Sequence, residues 1–456
     1  VPEESDNVKR EYNITSASVH DHNERDFTML RRIFILSAAS VLALGLLTQA
    51  RADFAAYLAK PEPAYRWEKK DEKSLAGGKV YELHLVSQTW QGTTWEHRLQ
   101  LFVPTEMTAP SQCTLLNTGG SGGAEEAVLG LMAARMSGSP FAILYNIPKQ
   151  PLYGKTEDAL IVHTWLKFME TGDESWPLHF PMAKAVIKAM DALQAFSRQA
   201  GLTPIKDFII TGASKRGWTT WLVGASKDKR VKAIAPMVID ILNVAAQVRH
   251  QLESYGKPSE QIDDYSAAGL LPLIESPKGK RLMELEDPYS YRELITMPKL
   301  IILGTNDRYW TQDALNLYWD GLVGPKWVCN IPNSGHGLED RGRLLNTLTA
   351  FVRAQGSGKQ FPTPTWTYSA TADGVKLTIR TPQKAKSARL FHVTAPTRDF
   401  RDQKWAYEEM TGNSTEFTGS FTTPSSGYAA IYGELVYERD GKPFTITTQI
   451  RILGKP

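Results

Sequence analysis

The sequence predicts an α/β architecture: a mostly parallel, doubly wound sheet with a helical cap insert, followed by a small all-β sandwich. Three observations carry this expectation. Between residues 113 and 354, short apolar runs alternate with amphipathic helical stretches, the rhythm of a parallel sheet covered on both faces. A long helix-prone segment, 241–297, interrupts that rhythm between two core strands. Beyond Gln355-Gly356-Ser357-Gly358 the texture turns to threonine, tyrosine, valine and phenylalanine, with turns at Ala372-Asp373-Gly374 and Arg439-Asp440-Gly441.

The N-terminal residues are not expected to join the fold. Met29-Leu30-Arg31-Arg32 precedes an almost wholly apolar stretch, 33–47, and then Ala50-Arg51-Ala52. A basic start, an apolar middle and a small-x-small end are the parts of an export signal in their proper order. Residues 29–52 therefore read as a signal peptide cleaved before Asp53. The apolar stretch is ~15 residues, short of the ~20 that span a bilayer. Residues 1–28 are a polar upstream extension, either disordered or the product of an alternative start. The mature protein is expected to be periplasmic or secreted, without an integral membrane span.

The mature chain then reads element by element. Residues 80–90 and 97–104 alternate apolar and polar side chains, as half-buried antiparallel strands do. Strands follow at 113–116, 141–147, 207–211, 231–239, 299–304 and 327–331. Helices fall at 124–136, 157–169, 181–199 and 338–354. Residues 53–356 thus form one α/β domain, and the insert 241–297 is expected to cap the strand ends, where pockets lie. Residues 361–456 hold several short strands at regular spacing, a sandwich of the immunoglobulin or fibronectin type III kind.

Composition narrows the partners. The 456 residues are 42% hydrophobic and 22% charged, ordinary for a soluble globular protein. A net charge of +3, without a basic run interleaved with aromatics, points away from nucleic acid. The nine histidines show no ligand spacing, so no metal is expected. Cys113 and Cys329 fall on strands that are not neighbours in the expected sheet. Both are expected to be buried free thiols.

Ser214 is the strongest chemical signal. It sits between a strand and a helix in the context Gly212-Ala213-Ser214-Lys215-Arg216-Gly217. A nucleophile on a tight strand-to-helix turn needs small neighbours, because the backbone is crowded there. The turn also brings the Lys215 amide to a helix N-terminus, where the dipole favours an oxyanion. The usual spacing is Gly-x-Ser-x-Gly, and here the second glycine comes one position late. A serine that merely caps the helix is the competing reading.

Two more strand ends complete the set. One strand runs into Thr305-Asn306-Asp307 and another into Asn333-Ser334-Gly335-His336. Serine, aspartate and histidine follow separate strands in the chain order used by the α/β-hydrolase fold. His336 would take the proton of Ser214, and Asp307 would hold the imidazole in the right tautomer. Asp240, which also ends a strand, stands as an alternative acid. The run Thr118-Gly119-Gly120-Ser121-Gly122-Gly123 is placed to aim a second backbone N–H, of Gly119 or Gly120, at the oxyanion. Arg216, Trp218, Tyr309 and Trp310 are candidate substrate contacts. Acyl transfer by such a triad needs no cofactor.

Long strings of this sequence resemble the PhoPQ-activated pathogenicity-related protein family. They are Glu170-Thr171-Gly172-Asp173 through Trp176-Pro177, then 182–196, 211–221, 236–243 and 304–319. The likeness spans roughly residues 60–455, a domain-scale match. It implies a secreted bacterial protein of α/β-hydrolase type under envelope-stress control, linked to virulence and antimicrobial-peptide resistance, with no substrate implied. The Ser-x-x-Gly turn with its neighbouring arginine is also similar to glucuronoyl esterases, which implies a sugar ester bearing a carboxylate. The expected activity is hydrolysis of a carboxylic ester or amide in a small molecule, an acylated sugar or a peptide. A peptidase on the same scaffold, or an exported binding or signalling protein without catalysis, are the alternatives.

Overall fold

The computed structural model describes residues 54–455. The expected signal peptide at 29–52 and the extension at 1–28 lie outside the described residues. An antiparallel meander opens the sheet: β1 (Arg66–Leu75), β2 (Gly78–Trp90) and β3 (Thr93–Pro104). Six strands that run parallel to one another follow: β4 (Gln112–Asn117), β5 (Phe141–Leu144), β6 (Asp207–Ala213), β7 (Val231–Met237), β8 (Lys299–Gly304) and β9 (Lys326–Ile331). Their spatial order is β1-β2-β3-β5-β4-β6-β7-β8-β9. Strand β8 is buried along its length, and β6 and β9 nearly so. Burial on both faces is why these strands read as unbroken apolar runs rather than alternating ones.

Successive residues of a strand point to opposite faces. Ile210 and Ile301 enter the core beneath α3 (His179–Gln199) and α4 (Lys215–Ala225). Ile209, Leu300 and Ile302 enter the opposite core, with Leu348 and Phe351 of α9 (Arg341–Ser357). Helix α1 (Ala124–Ser137) covers Phe102 and Ile143 on that second face. Among the described residues no helix is long and apolar enough to cross a membrane. Cys113 on β4 and Cys329 on β9 are both free and buried.

The insert 241–297 holds α5 (Val244–Tyr255), α6 (Asp263–Ala267), α7 (Leu270–Leu273) and α8 (Pro277–Glu286). One buried carboxyl closes it. Asp287 accepts the backbone N–H of Val244 at 2.8 Å and of Asn243 at 3.2 Å from the entrance, and of Tyr289 at 2.8 Å from the exit. The segment 287–292 is therefore a clasp as well as a turn.

The C-terminal strands form two facing layers. Thr365–Ala370, Gly374–Arg380, Glu416–Thr422 and Thr411–Gly412 make one sheet. The other, with Ser387–Ala395, Gly427–Arg439 and Lys442–Thr447, continues the central sheet beyond β9. The junction is one backbone pairing, Thr447 with Val328. It is reinforced by Asn330 Nδ2, which donates to Thr447 Oγ1 at 3.0 Å and Thr448 O at 3.1 Å. Arg343 of α9 pairs with the buried Glu434 of the sandwich.

Candidate active site

Strand β6 delivers Ser214 at a backbone angle that L-residues avoid, with φ 57° and ψ −128°. A residue held there costs about 1–3 kcal/mol and persists only when its surroundings enforce it. Two glycines do the enforcing. A Cβ on Gly212 would meet Arg216 O and Asn117 Nδ2, each at 2.5 Å. A Cβ on Gly217 would meet Ile239 Cγ2 at 2.7 Å and Met237 O at 2.8 Å. The late second glycine is thus where α4 passes closest to the chain leaving β7. The Lys215 amide opens α4, where no earlier turn supplies an acceptor.

The loops carrying Asp307 and His336 leave β8 and β9 side by side. His336 Nδ1 lies 2.8 Å from Asp307 Oδ2. A carboxylate only accepts, so Nδ1 carries the hydrogen and Nε2 is left to take a proton. The second oxygen, Asp307 Oδ1, accepts the Tyr309 N–H at 3.0 Å. The Tyr309 ring lies 4.3 Å from the imidazole, centre to centre. His336 is hydrogen-bonded to Asp307 and not to Ser214, but imidazole and serine line the same cavity.

That cavity has a volume of ≈ 40 Å³ and is walled mainly by apolar side chains. Trp165 and Trp218 line it, together with Ile241, Val244, Val248, Ile262, Leu271 and Ile274 of the insert. The insert is therefore a wall of the cavity. Trp218 is fixed from behind by His179, stacked at 4.3 Å, and donates from Nε1 to Glu286 O at 2.6 Å.

A polar cluster stands at the same cavity. Asp158 Oδ2 is 2.8 Å from Lys215 Nζ, and its Oδ1 accepts from the Tyr265 hydroxyl at 3.0 Å. The Tyr309 hydroxyl is 3.4 Å from Asp158 Oδ2. Burial, then the Asp158 charge, hold both phenols well above their ordinary range, so both remain donors. Asp158 and Tyr265 carry no distinguishing mark in the sequence. An acid in the first turn of a helix is ordinary dipole complementation.

The other candidates are placed as follows. Lys215, Trp218, Tyr309 and Trp310 line the cavity. Arg216 does not line it. Its Nη1 and Nη2 grip Glu157 at 2.8 and 2.7 Å, and Nε donates to Ile147 O at 2.5 Å. Burial opposes ionisation of Glu157, but the Arg216 hydrogen bonds prevail and hold its carboxyl at about 2. The guanidinium is spent on an internal partner, so it is not open to a substrate carboxylate. Gly119 lies against it: a Cβ there would overlap Arg216 Nη2. Neither Gly119 nor Gly120 lines the cavity. Gly120 O accepts the Asn146 N–H at 3.0 Å, which holds the glycine-rich run against the end of β5.

Asp240 is buried, with one carboxyl oxygen unpaired among the described residues. Burial, with the Asp307 and Asp313 charges adding, pushes its carboxyl up to about 7. A raised acid favours the fold while it keeps its proton. This contribution is present below about pH 4, where folded and unfolded chains are both protonated, and is lost progressively as pH rises to about 7. Asp240→Asn is therefore expected to gain thermal stability over the wild type with rising pH. The difference in Tm should be smallest near pH 4 and reach about 5 °C by pH 8. Thermal melts of both proteins across that range measure it, and a pH-independent difference would contradict the buried, protonated Asp240.

Residues 54–401 match the PhoPQ-activated pathogenicity-related protein family. The autocrine proliferation repressor protein A of Dictyostelium discoideum is 30% identical over 423 residues, covering 84% of this chain and 85% of its own. Acetyl xylan esterase 1 of Thermoanaerobacterium sp. JW/SL YS485 is 13% identical, with 68% of this chain and 93% of that one superposed at a TM-score of 0.49. Glucuronoyl esterase of Solibacter usitatus is 12% identical, covering 67% and 91%, at a TM-score of 0.40. The two solved structures carry no argument at these scores. The fold stands on the strand order itself.

Proposed function

The chain belongs to the PhoPQ-activated pathogenicity-related protein family, and from that membership and the site's geometry we propose that it is an exported serine hydrolase cleaving a carboxylic ester or amide. One observation carries the reading. An imidazole held by Asp307 and a strained Ser214 face one cavity at the ends of the parallel strands. In the reaction Ser214 Oγ attacks the carbonyl as His336 Nε2 takes its proton, and Asp307 stabilises the imidazolium. The Lys215 amide donates to the oxyanion; a second donation from Gly119 or Gly120, which lie outside the cavity, requires the glycine-rich run to shift towards the substrate. His336 then gives its proton to the leaving group, and water releases the acyl group by the same steps reversed in role. The ≈ 40 Å³ apolar cavity favours a short acyl group, since one water already takes about 10–15 Å³. Residues 29–52 support the export half of the reading.

The direct test is a fluorophosphonate probe on the full chain, followed by peptide mass spectrometry. The expected result is one covalent adduct, on the peptide carrying Ser214, whose formation is slowed by competing short-chain aryl esters. No adduct at Ser214 would favour the non-catalytic signalling role that the name of the Dictyostelium relative fits.

A further inference from the structure

The sandwich sends one loop, 396–405, back onto the α/β domain. Arg401 and Trp405 within it are buried. The loop reaches three elements. At the acid loop, Asn306 Nδ2 donates to Arg401 O at 3.1 Å and Gln403 O at 2.7 Å. At the base loop, Asn333 Nδ2 donates to Trp405 O at 3.0 Å while Trp405 N donates to Asn333 Oδ1 at 2.8 Å. This side chain takes the place of a neighbouring strand. At the cap, Arg401 Nη1 donates to Glu260 Oε2 at 3.0 Å, and its guanidinium lies 4.0 Å from the Tyr255 ring centre. Asp399 accepts from Arg401 Nε and Nη2 at 2.8 and 2.7 Å, fixing the guanidinium from its far side.

The location of these bonds is what matters. Asn306 adjoins Asp307, and Asn333 begins the turn that ends in His336. The two loops are also joined to each other. Asn306 N donates to Ser334 O at 2.9 Å, and Asn333 N donates to Thr305 Oγ1 at 2.9 Å. Their backbones approach closely: a Cβ on Gly304 would meet Gly335 O at 2.4 Å and Ser334 O at 2.5 Å. A loop that only held the sandwich in place could end anywhere on the α/β surface. This one meets Asn306, next to Asp307, and Asn333, three residues before His336, and adds ion pairs from Arg398 to Asp313 and from Asp402 to Arg308.

The geometry points to a positioning role for the sandwich in catalysis: its loop 396–405, acting through Asn306, Asn333 and Arg401, sets the Asp307–His336 pair in place and ties it to the cap. This rests on the triad reading above. Misplacing reacting groups by about an ångström costs on the order of 100-fold in rate. Asn333→Ala and Arg401→Gln are therefore expected to lower kcat by about 10- to 100-fold with KM changed less than about three-fold. A loosened carboxylate stabilises the imidazolium less, so the acid limb of the kcat/KM profile should move to lower pH. The strongly deshielded Nδ1 proton of His336 should broaden or vanish in the NMR spectrum.

The experiment measures aryl-ester turnover, the acid limb, the Nδ1 proton and the melting temperature for these full-length variants beside Ser214→Ala. Lost stability with an unmoved acid limb and an intact proton signal would reduce the loop to a structural tether and overturn the proposal. Wild-type kcat in Asn333→Ala and Arg401→Gln, with Ser214→Ala inactive, would also overturn it while leaving the triad standing. An active Ser214→Ala would instead bring down the triad itself. If either variant fails to fold, Asp399→Asn slackens the same guanidinium from a partly exposed site and carries the same readouts.

Discussion

Ser214→Ala is expected to lower kcat for an activated short-chain aryl ester by on the order of 10⁴- to 10⁶-fold, since losing the nucleophile of a triad removes what the whole unit contributes. Folding should not confound the result. Alanine keeps the Cβ and meets the same backbone demand at φ 57°. Ser214 caps no helix amide with its hydroxyl, so no structural hydrogen bond is lost. The melting temperature should stay within about 2 °C of wild type. Steady-state hydrolysis with burst-phase detection checks it. Turnover within ten-fold of wild type would place the nucleophile elsewhere.

The second large effect separates the two acids. Asp307→Asn is expected to lower kcat about 10⁴-fold at neutral pH, the cost of presenting the wrong imidazole tautomer to the serine. The amide oxygen can still accept the Tyr309 N–H that Asp307 Oδ1 now accepts. The amide nitrogen then faces His336 Nδ1 and can only donate to it. That forces the hydrogen onto Nε2, which can no longer take one from Ser214. Asp240→Asn should cost less than about ten-fold, because no hydrogen bond joins Asp240 to His336 and its carboxyl already holds a proton through much of the range below about 7. Paired kcat measurements between pH 6 and 9 decide between them. A larger loss in Asp240→Asn would make it the triad acid.

Much of the fold could be read from the chain because burial writes a pattern. The strands from β4 to β9 are largely buried on both faces and so carry short apolar runs at their centres. Strand β1 escaped notice for the opposite reason. Its residues, RWEKKDEKSL, are exposed and charged with no alternation. That composition protects a sheet edge from pairing with another chain, and no periodicity rule detects it. At the site, Ser214, Asp307 and His336 stand out as candidates in the sequence because each follows a strand in a fixed order, and the structure pairs His336 with Asp307 and sets Ser214 on the same cavity as His336. Asp158 could not, since its role depends on α2 (Glu157–Thr171) meeting Lys215 and Tyr265 from distant segments. Arg216 misleads in the sequence. Beside a nucleophile it reads as a substrate contact, and only the fold reveals that Glu157 already occupies it. The loop 396–405 carries no motif: three of its contacts are backbone carbonyls meeting asparagine amides, and its Arg398, Arg401 and Asp402 pair with residues distant in sequence.

The single ladder step between Thr447 and Val328 has a bearing on how this chain can be dissected. Take away everything past α9, and Lys326–Ile331 becomes a sheet margin that has lost its Val328–Thr447 pairing and the Thr447 and Thr448 partners of Asn330, with Trp327 and Phe351 stripped of Phe361. Such a margin recruits other chains. A shortened chain is therefore expected to pair with its own copies along that margin, which the sandwich covers in the whole protein.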